Sequence, residues 1–80
     1  MSAIVVHPSE LSDAEAESYA QAVDIFEAAP TSPSIFNSAP VRDDAGKLRE
    51  VRFYKDDVNR PLAVIEIADD GAVLPLRLLP

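Results

Sequence analysis

Apolar and polar positions alternate with two different periods along this chain. Over residues 13–29 the period is helical. An advance of about 100° per residue places Ala16, Tyr19, Ala20, Val23 and Phe26 on one face. Ser12-Asp13-Ala14-Glu15 has the form of a capping box, in which the Ser12 hydroxyl and the Glu15 carboxylate satisfy free N–H groups at a helix start. Pro30 ends the helix, because it has no N–H to donate and biases Ala29 away from helical geometry. The predicted helix therefore covers about 13–29.

Further along, the period falls to two. Three Asp pairs recur thirteen residues apart, Asp43-Asp44, Asp56-Asp57 and Asp69-Asp70, each leading through small or turn-forming residues to a strand-like run. That is the spacing of a β-meander. The runs are Lys47 to Lys55, Pro61 to Ala68 and Ala72 to Leu79. Val51 and Phe53 share one face of the first, and Leu74, Leu76 and Leu78 one face of the last. Pro75 has no ladder donor, which makes that last strand an edge or an end. The middle run is apolar at both parities, as in a central strand buried on both sides or a sheet whose second face is covered by something else. Ala3 to Val6 is a further candidate strand. Residues 30–40 read as a Pro-rich crossover, a loop with room for the start of a strand, anchored by Ile35 and Phe36.

These elements predict a single domain over residues 1–80. Its class is α+β: one N-terminal acidic helix packed on an antiparallel β-meander of three to five strands, with the meander over 41–79. The length of 80 residues allows one core, and with no cysteine the 48 % hydrophobic content must supply it. That content argues against disorder despite seven prolines. The N-terminus has no basic region before its short apolar stretch, and no segment approaches the roughly 18 apolar residues of a membrane span. A soluble, cytoplasmic protein without membrane association is expected.

Charge is distributed unevenly. The formal net charge is -7, yet residues 1–41 carry Glu10, Asp13, Glu15, Glu17, Asp24 and Glu27 with no Lys or Arg, while residues 42–80 are almost balanced. Asp13, Glu17, Asp24 and Glu27 line up on the helix face opposite the apolar one, and Glu10 joins them if the chain is already turning there. None has a basic partner on the helix, like charges four residues apart cost about 0.2 to 0.5 kcal/mol, and Glu27 opposes the helix dipole. The row is either a solvated face or a binding surface for a basic partner.

Conventional chemistry finds little support. His7 has no Cys, Gly-x-Ser-x-Gly elbow or orienting acid to work with, so no catalytic residue is assigned. The Asp pairs suit turns, and successive meander turns lie at opposite ends of a sheet, so the three pairs do not converge on a metal. Gly46 and Gly71 belong to no phosphate-cradling loop, and no cofactor is expected. Arg42, Lys47, Arg49, Arg52, Lys55 and Arg60 gather around one hairpin but are interleaved with acids, which predicts surface ion pairs rather than direct nucleic-acid binding. A carboxylate row can instead occupy a cationic groove that normally holds a nucleic-acid backbone.

In size, acidity and helix-plus-meander organisation the whole chain resembles the small phage-encoded inhibitors of bacterial defence, especially anti-CRISPR proteins that block type I surveillance complexes. The resemblance implies a non-enzymatic DNA mimic acting in the host-cell cytoplasm. Its partner would be a basic nucleic-acid-binding complex, met through Glu10, Asp13, Glu17, Asp24 and Glu27. Pro61-Leu62-Ala63-Val64-Ile65, Asp70-Gly71 and Leu78 are similar to the closing hairpin of uracil-DNA glycosylase inhibitor. The nearest counterpart of that family's Glu-Ser-Ile strand motif, Glu17-Ser18-Tyr19, falls in the predicted helix. Two other classes fit the residues. An immunity protein or antitoxin would cover a basic nuclease with the same face. A small assembly protein would associate through an edge strand bearing Leu74, Leu76, Leu78 and Leu79, so the monomer expected otherwise would become a dimer. Tyr19, Tyr54 and Phe36 suit a core and an interface equally.

Overall fold

The computed structural model describes residues 3–55 and 60–80. The pairing of strands follows chain order. Strand β1 (Ile4–Val5) leads through a 3-10 turn (Pro8–Glu10) to helix α1 (Asp13–Ala28). Strands β2 (Asn37–Arg42), β3 (Leu48–Tyr54), β4 (Pro61–Glu66) and β5 (Arg77–Leu78) follow. They form one antiparallel sheet in the order β1-β2-β3-β4-β5, an α+β arrangement in which β1 and the 3-10 turn precede the helix. Asp56 and Asp57, where the sequence predicts a turn, lie outside the described residues.

The helix begins and ends where its caps require. Ser12 Oγ accepts from Glu15 N at 3.2 Å, and Glu15 Oε1 accepts from Ser12 N at 3.0 Å. Ala29, directly before Pro30, is already extended and forms the C-cap. The buried face, however, is Ser18, Ala22 and Phe26, with Tyr19 and Val23 half-buried at its side, whereas Ala16 and Ala20 are exposed. Relative to the predicted face the centre of the buried one is rotated by about 95°, taking 100° per residue. Alanines do not decide which face is buried; the large Phe26 ring does, and small side chains at 18 and 22 let the helix approach β3.

Three phenylalanines join the two layers. Phe26 stacks on Phe53 with ring centroids 4.2 Å apart and planes 7° from parallel. Phe36 meets Phe26 edge-on at 4.7 Å and Phe53 at 6.1 Å. Val51, Ile65, Ala63, Leu48 and Ile67 complete the core. Leu48 reaches it because of a bulge. Val41 pairs with Glu50 but Arg42 pairs with Leu48, so Arg49 is the extra residue and the alternation of β3 changes phase there.

Three expectations about the crossover and the last strand are corrected. The crossover is shorter than 30–40, since β2 starts at Asn37 and contains Pro40. Pro40 is tolerated inside the sheet because its carbonyl, which accepts from Val6 N at 3.1 Å, faces the short β1, and its missing N–H faces the same way. Ile35 is 73 % exposed and anchors nothing, while Phe36 does. Ala72 to Leu79 is not one strand: Val73 bridges Ile67 and pairing resumes only at Arg77, beyond Pro75. The edge position predicted for this segment is observed, and both edge strands are two residues long, which limits edge-to-edge association.

The central run behaves as read, with Ala63, Val64 and Ile65 all buried in β4 between β3 and β5. Val64 and Val41 lie on the face away from the helix, in register with Arg52 and Glu50. Among the described residues no second layer covers that face, and no helix is long and apolar enough to cross a membrane.

Gly71 turns the chain toward β5 with a φ of +88°. A Cβ there would lie 3.6 Å from Ser18 Oγ, which is ordinary contact, so backbone conformation alone penalises a side chain. Gly71→Ala is expected to cost about 1 kcal/mol and Gly71→Asn less, since Asn tolerates the left-handed region. Urea denaturation measures this, and an equal loss in both variants would locate the penalty elsewhere.

Candidate functional site

Asp13, Glu17, Asp24 and Glu27 are all exposed on α1. Their helical positions fall within about 80° of one another at 100° per residue and extend over about 21 Å at 1.5 Å per residue. None of the four carboxylates has an ion pair or side-chain hydrogen bond among the described residues. Glu10 does not join them. It ends the 3-10 turn, where its Oε2 accepts from His7 N at 2.9 Å and its carbonyl accepts from Arg42 at 3.1 Å. Two residues outside helical geometry separate it from α1, so the helical projection that placed it in the row does not apply.

His7, just after β1, caps that turn: its Nδ1 accepts from Ser9 N at 3.1 Å. This is structural work. Tyr19 is also structural in part, its half-buried hydroxyl bonded to Ser38 Oγ and thereby tying α1 to β2.

Arg42, Lys47, Arg49, Arg52 and Arg77 are paired with other acids. Arg42 makes a bidentate pair with Glu15, at 2.6 Å to Oε2 and 3.0 Å to Oε1, and also donates to the Gly46 carbonyl at 2.9 Å. The Arg42 guanidinium, aided by the Ser12 backbone N–H, lowers the Glu15 pKa from 4.5 to about 2. Arg52 pairs with Glu50 at 2.7 Å, and Arg77 with Glu66 at 3.7 Å.

Two of the Asp pairs meet at one end of the sheet, as alternate turns of a meander must. Arg49, displaced by its bulge, bridges Asp43 and Asp69, and Lys47 lies 3.6 Å from Asp69. Hydrogen bonds from Arg49 lower the pKa of both aspartates. Asp43 Oδ1 also accepts from Ala45 N and Lys47 N, and Asp70 Oδ1 from Ala72 N, which is the turn chemistry expected of these pairs. Among the described residues no group of three or more His, Asp or Glu is placed to hold a metal ion.

Two concavities flank α1. One, of about 220 Å³, lies beside its first turns, lined by Ser18, Leu48, Ile67 and Gly71 among others. Ser18 Oγ is already committed there, donating to the Gly71 carbonyl at 2.8 Å. The other, of about 490 Å³, opens at the end of α1 between Glu27, Ala29, Ser32, Pro33, Ser34 and Phe36. Sequence reading did not find this cleft, because it forms only when the loop after Pro30 folds back to bring Phe36 against Phe26. No protein-family model matches the chain, and no curated protein or solved structure is significantly similar to it.

Proposed function

We propose that this protein is a non-enzymatic inhibitor that uses the α1 carboxylate row to occupy a basic nucleic-acid-binding surface on another protein. The observation that carries this reading is the division of charge. Arg42, Lys47, Arg49, Arg52 and Arg77 are each paired with an acid, whereas Asp13, Glu17, Asp24 and Glu27 stand on one exposed strip without an ion pair among the described residues. Such a strip attracts a cationic channel and is screened by salt. Its charge is sparser than that of duplex DNA, where one phosphate occurs per about 1.7 Å of axis. It therefore competes as a short, locally matched stretch rather than as a copy of a duplex.

Apart from Asp13, which suits the helix N-terminus, stability does not favour the strip. Asp13 with Glu17 and Asp24 with Glu27 are like-charged neighbours costing about 0.2 to 0.5 kcal/mol per pair, and Glu27 stands at the negative end of the helix.

The partner class we propose is a cytoplasmic DNA-recognition complex, with the type I CRISPR surveillance complex as the first candidate. The tagged protein is expected to retain that complex from lysate at low salt, to lose it at high salt and to be displaced by target DNA. Lysine at Asp13, Glu17 and Asp24 together should abolish retention while the circular-dichroism spectrum and melting temperature stay unchanged. Retention by the lysine variant sinks the proposal. Capture of a nuclease toxin instead would make the same face that of an immunity protein.

A further inference from the structure

We propose that the cleft at the C-terminal end of α1 receives the guanidinium group of an arginine side chain carried by the partner. Its polar lining is Glu27, Ser32 and Ser34, and no Lys or Arg is part of it. Glu27 brings a carboxyl group that has no ion pair among the described residues. Ser32 Oγ donates to the main-chain carbonyls of Ala29 at 3.0 Å and Glu27 at 3.3 Å, which uses its proton and leaves its lone pairs to accept. The helix ends here with its negative pole and has no basic residue in its last turn to offset it.

The apolar part of the lining selects the cation. Phe36 is half-buried, held by the edge-on contacts to Phe26 and Phe53, and another part of its surface lines the cleft. Guanidinium is planar, weakly hydrated and able to stack on an aromatic ring while donating to a carboxylate, whereas ammonium is compact and strongly hydrated. A divalent metal is a poorer match, since Ca²⁺ takes six to eight oxygen ligands and Glu27 is the one acidic residue in this lining. The cleft continues the acidic row beyond Glu27, so a basic surface lying on α1 would bring an arginine to its mouth. The inference rests on the proposed function for the partner being a protein; the acceptor chemistry of the cleft stands without it.

The test is an NMR titration of the ¹⁵N-labelled full chain with N-acetyl-arginine amide, with N-acetyl-lysine amide in parallel. Saturable shifts are expected for residues 27–36, with arginine binding about fivefold tighter than lysine. Glu27→Gln should weaken arginine binding about fivefold, and Phe36→Leu should remove the preference over lysine. Shifts as large along 13–24 as along 27–36, or an unchanged response in Glu27→Gln, would overturn the proposal, because arginine would then be sampling negative charge in general. A cleft response without any partner captured by the row would leave this receptor standing and the mimicry reading fallen. Partner capture with a silent cleft would mean the reverse.

Discussion

Phe53→Ala is expected to destabilise the domain by about 3 to 5 kcal/mol, the range for removing a buried aromatic ring. Phe53 is fully buried, stacks on Phe26 from the helix and meets the edge of Phe36 from the crossover. Its removal therefore loosens sheet, helix and loop together. A chain of this length has a total stability of about 4 to 12 kcal/mol, so at the lower end the variant is largely unfolded at room temperature. Phe36→Ala, at the half-buried margin of the same cluster, should cost about 1 to 2 kcal/mol. Urea denaturation followed by far-ultraviolet circular dichroism compares them. Equal losses would mean that the stacked pair is not the centre of the core.

Glu15→Gln is expected to cost about 1 to 2 kcal/mol near neutral pH once solvent screening is allowed for, because the Glu15 side chain remains 24 % exposed. Glutamine keeps the shape and can still accept from Ser12 N, so the substitution reads the charge opposite Arg42. The folded pKa of Glu15 is depressed from 4.5 to about 2. Its stabilisation is thus fully present above pH 4.5, declines as pH falls through that window, and is lost below about 2. Asp43 and Asp69, also depressed by their pairing with Arg49, lose stabilisation on acidification in the same sense. Melting temperatures should differ by about 4 to 16 °C between wild type and Glu15→Gln at pH 7, on the scale of 4 to 8 °C per kcal/mol for a domain of this size. They should converge in strong acid. A difference independent of pH would show that geometry rather than charge is being measured.

Glu15 also marks a boundary in what the chain discloses. Its capping-box role is written in four consecutive residues and is found where the sequence places it, as are the helix stop at Pro30 and the turn-forming aspartates at 43 and 70. Nothing local announces that the same carboxylate receives Arg42, which is 27 positions away. The acidic row was legible for the same reason as the cap: Asp13, Glu17, Asp24 and Glu27 share a face through helical periodicity alone. Glu10 was not legible, because its position depends on how the 3-10 turn at Pro8 is set against Arg42.

The sequence by itself determined the α+β class, the meander order, the caps and the unbalanced charge of α1. Each follows from residue spacing and from short-range hydrogen bonding, which act within a few positions of the chain. Tertiary structure decided which side of the helix is buried, the phase of β3 around Arg49, the place of Pro40 inside a sheet, and the cleft beneath Glu27. These depend on which large side chains meet across distant segments, Phe26 with Phe53 above all. A local pattern fixes how residues are arranged within an element; close packing between elements fixes which of those arrangements faces inward.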